Sequence, residues 1–587
     1  MRYLALACDY DGTLASGGYV AEQTLEALKR LRSSGRKLVL VTGRRLGDLL
    51  SVFAHADLFD RIIAENGALI YQPETRQERV LAEPPPDSFI QALKARHLEP
   101  LETGRVVVAT EQPNEATVLR SIRDLGLELQ VIFNKGAVMV LPAGVNKASG
   151  LRAGLEELGL SAHNVVGIGD AENDHAFLSF CECSVVVSNA LAALKRNADW
   201  VTEGSDGQGV VELIDQILQD DLHHLDSHLT RHHLVVGRRS GTQDVKLAPY
   251  GHNVLLAGAS GAGKSTMATS LLAQLAQGDY QFCVIDPEGD YESLEGAFVL
   301  GNRRRAPSVD EVMQILEKPG ARPVINLLGL PLEERPGFLM VLLPRIQEMR
   351  GRFGRPHWLV IDEAHHMVPR DWKPVSLTLP REMQGTIFVT VHPNELSPLV
   401  LSMIDVLLAV GDQPGQILTS LNRDIPLGAD TESSVPGEAN QVLFWAKDQV
   451  DSPFMMTSIA TPIEGRRHRR KYAEGELPPE SSFYFTGPEA KLNLRANNLI
   501  HFLELADGVD DATWTYHLKH GGYSRWFRDV IKDGSLADEV AHIERSSQLD
   551  ARETRELVRN AIEHNYTLPA ISRAKEATKK GSDTEQF

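Results

Sequence analysis

The sequence predicts an α/β protein of several domains, in which two sheet-and-helix domains precede a small helical domain. Three observations support this fold class. The chain has 587 residues, which is more than one hydrophobic core organises. Apolar runs such as KLVLVTG and NVVGIGD alternate with helical patterns, and a second alternation begins near His233. Beyond about residue 480 the patterns are mostly helical. We therefore expect two parallel sheets and a C-terminal helical domain.

Composition and charge narrow the class of protein. Apolar residues make up 42% of the chain and charged residues 24%, values typical of soluble globular proteins. The formal net charge of −19 argues against broad affinity for nucleic acid or anionic membranes. No apolar run approaches the length of about 18 residues that spans a membrane, so we expect no membrane segment. Only four cysteines occur, mostly in or beside apolar runs, which favours the cytoplasm over a disulfide-bonded protein.

Breaks in these patterns predict the domain boundaries. The run RRHRRK in the charged linker could contact phosphate, but its surroundings favour a solvated linker. The predicted segments are a first α/β domain at 1–218 with an insertion at about 72–145, a linking helix at 219–231, a second α/β domain at 232–463, a charged linker at 464–480, a helical domain at 481–570 and a disordered tail at 571–587.

Two aspartates follow the first apolar strand, in the stretch CDYDGTLA. Asp9 and Asp11 could open a calcium loop, but Gly12 comes fourth where that loop needs a glycine sixth. They could also cap the next helix, because Asp, Gly and Thr suit that position. A third interpretation is a ligand site, since open α/β sheets bind ligands at the carboxyl ends of their strands. The rest of the segment favours the third interpretation.

Three further stretches place polar side chains where the predicted sheet would bind a ligand. Thr42 ends one apolar strand, Asp170 ends another, and Lys147 begins a helix. Because parallel strands end at the same edge, these residues can converge with Asp9 and Asp11. Such a set suits phosphoryl transfer: carboxylates hold Mg²⁺ and attack phosphorus, while a hydroxyl and an ammonium neutralise the phosphate oxygens.

These motifs, with AENGALIY and VVVSNALAALKRNADWVTEGSDGQGV, resemble the haloacid-dehalogenase superfamily of phosphatases in its Cof-like, sugar-phosphate-phosphatase-like branch. The resemblance implies a Rossmann-like sheet, Mg²⁺ as cofactor and an aspartyl-phosphate intermediate. By this resemblance Asp9 is the nucleophile, and Asp11 is first the general acid and then the base. The remaining implied roles are phosphate binding by Thr42 and Lys147, metal binding by Asp170 with Asp9 and the carbonyl of Asp11, and support by Asn173 and Asp174.

The stretch between Thr42 and Lys147 is longer than one strand and one helix require. Residues from about Gln72 to Val145 carry strands and helices of their own, and they resemble the αβ cap inserted at this point in that branch. A cap excludes water and bulky substrates. The expected substrate is therefore a small phosphorylated metabolite, and not a phosphoprotein or a nucleic-acid end.

A complete phosphate-loop motif lies in NVLLAGASGAGKSTMATSLLAQL, after an apolar strand and before a helix. Its N–H groups would hold the phosphates of ATP, Lys264 would reach the β and γ oxygens, and Ser265 would hold Mg²⁺. The strand in HWLVIDEAHH ends with Asp362, which would position Mg²⁺ through water, and Glu363, which would activate the attacking water. The expected ATP-binding residues are Gly258, Gly261, Gly263, Lys264, Ser265, Thr266 and Asp362.

Together with GRRSGTQDVKLAPYGHN and CVIDPEGDYESL, this motif resembles the HerA/FtsK-type ATPases, which are usually hexameric DNA or protein pumps. The resemblance implies ATP hydrolysis in a hexameric ring. Thr390 and His392 stand where such pumps often have a glutamine that senses the γ-phosphate, a departure that affects motor coupling more than hydrolysis. Arg423 is a candidate for the arginine that completes a neighbouring subunit's site.

Aromatic residues are concentrated in the stretch GVDDATWTYHLKHGGYSRWFRDV near the C-terminus. Their helical spacing predicts a small aromatic core, and a docking surface for a partner or nucleic acid is the alternative. His517 with His520 could bind a metal, as could Cys181 with Cys183, but further ligands at suitable spacing do not follow.

The function that these patterns predict is that of a two-site phosphohydrolase. A capped, Mg²⁺-dependent phosphatase would be joined to an oligomeric ATPase that regulates it. The alternative is a nucleic-acid translocase or defence factor whose phosphatase-like domain processes nucleotides or DNA ends. This alternative is favoured by the RRHRRK run and by the resemblance to ATPases that are usually DNA or protein pumps. The net charge of −19 and the cap argue against it.

Overall fold

The computed structural model divides the chain into two compact units, Met1–Ile459 and Ala460–Phe587. Four sequence predictions lie outside the residues it describes: Gly261, Arg423, the C-terminal tail and all of the charged linker except residue 477. The described residues are 1–239, 242–259, 262–292, 294–372, 384–411, 413–421, 441–447, 453–459, 477, 482–531, 534–546 and 549–565. None of the helices within these ranges combines the length and the apolar character that crossing a membrane requires.

The first domain begins with five of the eight strands of its sheet and with two helices. The first three strands are parallel and almost wholly buried, as expected of apolar strands that are covered on both faces. The next two strands continue the sheet in antiparallel fashion. The elements are β1 Ala5–Asp9, α1 Glu22–Ser33, β2 Lys37–Val41, α2 Leu46–Val52, β3 Arg61–Ala64, β4 Leu69–Gln72 and β5 Gln77–Val80.

The chain then leaves this sheet to build the expected αβ cap. Its four strands form an antiparallel sheet in the order β6-β7-β9-β8, and its two helices share a small apolar core with that sheet. The elements are α3 Asp87–Ala95, β6 Glu102–Thr103, β7 Val108–Glu111, α4 Glu115–Asp124, β8 Leu129–Asn134 and β9 Ala137–Pro142. The cap starts later than the predicted residue 72, because β5 pairs with β4 and so belongs to the main sheet.

The chain returns to the main sheet and completes it in the order β12-β11-β10-β1-β2-β3-β4-β5. Strand β1 therefore lies between β10 and β2, and all three run in the same direction. The returning elements are α5 Lys147–Glu157, β10 Val165–Gly169, α6 His175–Phe180, β11 Cys183–Val186, α7 Ala192–Lys195, β12 Trp200–Val201 and α8 Asp206–Asp220.

The predicted linking helix at 219–231 differs from the structure. Helix α8 ends at Asp220 because Asp221 and Leu222 adopt left-handed φ angles of 57° and 63°. A single 3-10 turn follows at His223–Leu225. Leu222, Leu225 and Leu229 are buried in the hydrophobic core of the first domain. This segment is thus part of the first domain's packing and not a free spacer.

The second domain has one large sheet, in the order β14-β13-β23-β22-β21-β15-β20-β19-β16-β18-β17 among the described residues. The strands from β21 to β17 in this order are parallel, and β22, β23, β13 and β14 extend the sheet in antiparallel fashion. The elements are β13 Leu234–Arg239, β14 Gln243–Leu247, β15 Asn253–Gly258, α9 Lys264–Gln277, β16 Phe282–Asp286, β17 Phe298–Leu300, α10 Val309–Leu316, β18 Pro323–Asn326, α11 Arg335–Phe353, β19 Trp358–Ile361, α12 Ala364–Met367, β20 Thr386–Thr390, α13 Pro398–Ser402, β21 Val406–Val410, α14 Pro414–Leu421, β22 Gln441–Ala446 and β23 Phe454–Ser458.

The second unit is mainly helical and has an aromatic core, as the spacing predicted. Trp514 and Tyr523 are fully buried with ring centroids 4.4 Å apart. Nε2 of His517 accepts a hydrogen bond from the N–H of Thr486 at 3.0 Å, and Nδ1 of His520 lies 2.6 Å from the backbone oxygen of Tyr516, so these two nitrogens are engaged within the protein. The elements are β24 Phe483–Phe485, β25 Leu494–Ala496, α15 Leu499–Gly508, α16 Asp511–Lys519, α17 Gly522–Asp529, α18 Gly534–Glu544 and α19 Ala551–Asn565.

Candidate active sites

The polar residues predicted to converge in the first domain lie at one edge of its sheet. Asp9 is the last residue of β1, and Thr42 and Asp170 directly follow β2 and β10. Since these strands are adjacent and parallel, their carboxyl ends meet at this edge. Lys147, the first residue of α5, points its ammonium to the same place. The sequence prediction of their convergence is confirmed by these positions.

Lys147 lies between two buried carboxylates. Its Nζ is 2.5 Å from Oδ1 of Asp9 and 2.5 Å from Oδ1 of Asp174. Burial and the charge of Asp174 raise the pKa of Asp9 to about 7, against the opposing effect of Lys147. Burial alone would lower the pKa of Lys147, but the two carboxylates outweigh it and raise that pKa. The ammonium is therefore a fixed positive charge at the centre of this site.

Asp174 and Asn173 hold the loop that follows β10. Oδ2 of Asp174 accepts hydrogen bonds from the N–H groups of Asp170 and Ala171 at 2.8 and 2.9 Å. Nδ2 of Asn173 donates to Oδ1 of Asn66 at 2.9 Å, which ties this loop to the AENG stretch. Asp174 is engaged with Lys147 and with these N–H groups, so its position suits a supporting residue.

Asp11 is paired with an arginine that the sequence reasoning did not identify. Arg44 binds its carboxylate through two hydrogen bonds, from Nε to Oδ2 and from Nη2 to Oδ1, both 2.7 Å long. Such a bidentate pair fixes the direction of a carboxylate. The sequence contains a signal for this contact, because the dipeptide RR comes directly after the Thr-Gly that follows β2.

Glu65 is a second residue that sequence reasoning missed. It is buried beside β3, and its carboxylate accepts hydrogen bonds from the N–H groups of Arg105, Val106 and Val107 at 2.8, 2.7 and 3.0 Å. These three residues precede β7 of the cap. Glu65 thus attaches the base of the cap to the domain that carries the candidate catalytic residues.

The oxygen atoms at this edge suit Mg²⁺. Carboxylate oxygens of Asp9, Asp170 and Asp174 lie within 4.8 Å of one another. The side-chain ammonium of Lys135 already bridges Oδ2 of Asp170 and the backbone oxygen of Asp11 at 2.6 and 2.9 Å, so this oxygen pair binds a cation. Carboxylate and carbonyl oxygens are the ligands that Mg²⁺ prefers. Asp9, Asp170 and the carbonyl of Asp11 are therefore the residues that fit the metal.

The second site lies at the carboxyl edge of the large sheet. Lys264 begins α9, directly after Gly263, whose φ of 97° favours glycine at this position. Its Nζ donates to the backbone oxygen of Ala259 at 2.9 Å. Gly258 ends β15 close to β21, since a Cβ at this position would lie 2.4 Å from the backbone oxygen of Val410. Ser265 and Thr266 follow in the first turn of α9.

Asp362 and Glu363 directly follow β19, which is separated from β15 by the single strand β20. Burial, with Asp290 and Glu363 nearby, raises the pKa of Asp362 well above its usual value. Burial and Glu288 also raise the pKa of Glu363, while Lys264 acts in the opposite direction. Lys264 and the two acidic residues are therefore close enough to influence one another, as the phosphate-loop interpretation expected.

Thr390 and His392 are joined to this acidic pair by His365. Oγ1 of Thr390 lies 3.1 Å from Nδ1 of His365 and accepts the N–H of His392 at 3.0 Å. Nδ1 of His365 is 3.4 Å from Oε2 of Glu363. Burial, then the neighbouring histidines, lower the pKa of His365 to about 4, so this ring is neutral at pH 7. The stretch DEAHH contains His365, but its sequence position alone does not reveal this contact.

A buried polar cluster joins the two α/β domains. His163, just before β10, has Nδ1 at 2.6 Å from Oε2 of Glu182 and Nε2 at 2.6 Å from the backbone oxygen of Gly278. Its ring stacks on Tyr280 with centroids 3.6 Å apart, and the Tyr280 hydroxyl donates to Glu182 at 3.0 Å. Arg2 pairs with Glu182 at 2.8 Å. We refer to His163, Glu182, Tyr280, Gly278 and Arg2 as the interdomain cluster.

Comparison with known proteins identifies relatives of both α/β domains. Residues 6–124 and 105–214 match the haloacid dehalogenase-like hydrolase family, and residues 242–344 match the central domain of helicase HerA. Phosphoglycolate phosphatase 2 of Saccharolobus solfataricus is 31% identical over 227 residues, which cover 37% of this chain and 92% of that protein.

Two further matches also cover the first domain. The phosphoglycolate phosphatase of Methanothermobacter thermautotrophicus is 28% identical over 221 residues, covering 36% of this chain and 96% of that protein. The crystal structure of a haloacid dehalogenase-like hydrolase from Bacteroides thetaiotaomicron is 22% identical and covers 37% of this chain and 100% of that chain, with a TM-score of 0.33. The family matches and the relatives confirm both resemblances that the sequence motifs indicated.

Proposed function

Because the chain belongs to the haloacid dehalogenase-like hydrolases through its first domain, we propose that this domain is a Mg²⁺-dependent phosphatase for a small phosphorylated metabolite. The observation that carries this proposal is the contact of Lys147 with Asp9 at the sheet edge where Asp170 and the carbonyl of Asp11 also lie. A nucleophile, a fixed positive charge and the oxygen ligands of a metal are thereby brought together.

In the proposed reaction, a carboxylate oxygen of Asp9 attacks phosphorus while the bond from phosphorus to the leaving oxygen breaks. Asp11 gives a proton to the leaving oxygen. Asp11 then takes a proton from water, whose oxygen attacks the aspartyl-phosphate and releases inorganic phosphate and the Asp9 carboxylate. Lys147 holds Oδ1 of Asp9, so we assign the attack to the other oxygen. Thr42 and Lys147 bind the phosphoryl oxygens. Bound Mg²⁺ would neutralise charge on the phosphoryl group.

Asp11 must leave one partner before it can act. Its carboxylate is held by both nitrogens of the Arg44 fork in this structure. We expect substrate binding to open this pair, because the phosphate brings a competing anion to the guanidinium. Arg44 then contributes positive charge beside the phosphoryl group. The freed Asp11 side chain, once it has taken up a proton from solvent, can reach the leaving oxygen and give that proton to it.

Phosphoglycolate is the first substrate to test, because the relatives quoted above are phosphoglycolate phosphatases. We expect the full-length protein to release phosphate from phosphoglycolate when Mg²⁺ is present. Treatment with EDTA should lower the rate at least about a hundredfold, because the proposed reaction depends on Mg²⁺ to neutralise charge on the phosphoryl group. Added Mg²⁺ should restore the rate. Release of phosphate at the same rate after EDTA treatment would contradict the proposed metal dependence. A panel of other phosphorylated metabolites serves as the comparison.

For the second domain we propose ATP hydrolysis. Lys264 would bind the β and γ phosphates, Asp362 would position Mg²⁺ through a water molecule, and Glu363 would activate the attacking water. The support is the position of these residues around the carboxyl ends of β15 and β19. We also propose a hexameric ring for this chain, as the resemblance of its sequence motifs to the HerA/FtsK-type ATPases implies. Mass measurement in the presence and absence of ATP is its test.

We also propose that ATP binding regulates the phosphatase, through the interdomain cluster. Helix α9 begins at Lys264 in the ATP site and ends at Gln277, next to the Gly278 carbonyl that contacts His163. His163 in turn precedes β10, which leads to Asp170 in the phosphatase site. Both ring nitrogens of His163 lie 2.6 Å from an oxygen, Oε2 of Glu182 on one side and the backbone oxygen of Gly278 on the other. A displacement of α9 would therefore act on a buried polar contact.

This proposal predicts that a non-hydrolysable ATP analogue changes the KM of the phosphatase about fivefold or more. Lys264→Ala should show no response to the analogue, because it lacks the ammonium that holds the phosphates. Glu182→Gln should reduce the response while both hydrolytic activities persist, because it removes the negative charge that holds His163 and Arg2 in the interdomain cluster. Thermal unfolding of each variant checks that it remains folded. An unchanged KM in the wild-type protein at saturating analogue would contradict the regulation.

A nucleic-acid translocase remains the second candidate function. The match of residues 242–344 to the central domain of helicase HerA favours it. The net charge of −19 opposes it, because nonspecific DNA binding depends on positive charge. Stimulation of ATP turnover by duplex DNA at low salt distinguishes the two functions.

A further inference from the structure

Lys135 is the residue at which the cap touches the catalytic carboxylates. It lies at the tip of the hairpin formed by β8 and β9, whose last paired residues are Asn134 and Ala137. The two-residue turn has left-handed φ angles of 47° at Lys135 and 91° at Gly136, as in the tight turns that hairpins favour. The backbone at this position is thus defined by the hairpin, and the hairpin points the lysine toward the site.

The contacts of Lys135 are made with two oxygens of the proposed metal site. Its Nζ lies 2.6 Å from Oδ2 of Asp170 and 2.9 Å from the backbone oxygen of Asp11. The approach is close, because a Cβ added to Gly12 would lie 2.4 Å from the Lys135 ammonium. Partial burial would lower the pKa of Lys135, but the hydrogen bond and charge of Asp170 outweigh it and raise this pKa, which keeps the ammonium charged.

An ammonium and a divalent cation cannot share these oxygens. Two positive charges at such a short distance repel each other strongly in a partly buried site. Mg²⁺ binding to Asp170 and to the Asp11 carbonyl must therefore displace Lys135. The side chain is 46% exposed and has four flexible bonds, so it can move without unfolding the hairpin.

Once displaced, the ammonium stays close to the substrate. An apolar cluster forms part of the surface through which the cap packs on the core domain, namely Val106, Val107, Met139 and Leu141, against Ala68 and Val145. Apolar surroundings favour pairing of the lysine with an anion. Because the ammonium starts beside the catalytic carboxylates, the anion that it meets must lie only a few bonds from the phosphoryl group.

We propose that Lys135 is a specificity-determining residue of the phosphatase, which exchanges Asp170 for the carboxylate of a short phosphorylated acid when metal and substrate bind. This inference rests on the proposed phosphatase function. Metal binding therefore opposes the contact of Lys135 with Asp170, and the cap recognises the carboxylate of the substrate in addition to its phosphate. For a substrate that lacks this carboxylate, the released lysine should not increase kcat/KM.

The first test measures metal binding and does not depend on activity. Mn²⁺ is titrated into full-length, EDTA-treated, nucleotide-free protein, and free Mn²⁺ is measured by electron paramagnetic resonance. Lys135→Ala should bind Mn²⁺ about tenfold more tightly than the wild type, because no ammonium competes for Asp170. The matched control is Lys94→Ala, which removes an exposed lysine from α3 of the same cap and should leave the affinity unchanged.

The second test measures specificity as a ratio. The kcat/KM for phosphoglycolate is divided by that for p-nitrophenyl phosphate, which has no carboxylate. This ratio should fall about tenfold or more in Lys135→Ala, should be partly restored in Lys135→Arg, and should remain at the wild-type value in Lys94→Ala. A purely structural role of Lys135 would lower both values together and leave the ratio unchanged.

The outcomes separate this inference from the function on which it rests. Tighter Mn²⁺ binding together with a lower ratio supports the exchange. Mn²⁺ affinity equal to that of the wild type, or an unchanged ratio, overturns it. If the wild-type protein hydrolyses neither ester, the proposed phosphatase function fails, and the exchange at Asp170 is still decided by the Mn²⁺ titration.

Discussion

Asp9→Asn is expected to lower phosphate release from both phosphoglycolate and p-nitrophenyl phosphate at least about a hundredfold, while ATP turnover persists. The amide has nearly the shape of the carboxylate but is a very weak nucleophile, so the covalent intermediate cannot form. The ATP site is built from residues of the second domain, and we expect it to remain intact. Phosphate release and ATP turnover are measured on the same preparation.

The Asp9→Asn variant is expected to fold. Burial raises the pKa of Asp9 to about 7, which means that the fold disfavours its charged form and should accept a neutral amide. Asp57→Asn is the matched control, because Asp57 is exposed in the 3-10 turn after α2. Thermal unfolding verifies both variants. Activity of Asp9→Asn above about a hundredth of the wild-type rate would show that another residue is the nucleophile.

The second large effect is expected at Glu363. Glu363→Gln should bind ATP but hydrolyse it at least about a hundredfold more slowly, because the amide cannot accept the proton of the attacking water. Lys264→Ala should lose turnover through a different cause, since it removes the charge on the β and γ phosphates. Binding of a fluorescent ATP analogue separates the two: it should persist in Glu363→Gln and weaken in Lys264→Ala.

Glu333→Gln is the control for this pair, because Glu333 is exposed in the 3-10 turn before α11. Equal turnover in the wild type and in Glu363→Gln would refute the role of Glu363 in activating water. The assay is repeated with duplex DNA at low salt. We expect no change in turnover, whereas stimulation that disappears at high salt would favour the nucleic-acid translocase.

Short-range patterns in the sequence were sufficient to predict the two α/β domains and the positions of their sites. Asp9, Thr42 and Asp170 each end an apolar run, and parallel strands bring their ends to one edge whatever the details of packing. The phosphate-loop motif is equally local, because one strand, one turn and one helix contain most of it. The two family resemblances and the positions of these residues at strand ends can therefore be predicted from the sequence.

Helix ends and domain limits depended on contacts that the sequence pattern does not contain. The stretch from 219 to 231 is polar enough to predict a linking helix, but Leu222, Leu225 and Leu229 find room in the first domain's core. Residues 77–80 fell inside the predicted cap because the stretch between Thr42 and Lys147 is longer than one strand and one helix require. Only the pairing of β5 with β4 places these residues in the main sheet. In both cases tertiary packing overrides the local pattern.

The partners of the catalytic residues were decided by the tertiary structure alone. Arg44 on Asp11, Lys135 on Asp170 and His163 on Gly278 join residues that are far apart in the sequence. A charged side chain on a surface has no periodic signature, and many arginines and lysines could in principle pair with a given carboxylate. The choice among them is made by the fold, which brings one hairpin tip and one loop to the strand ends.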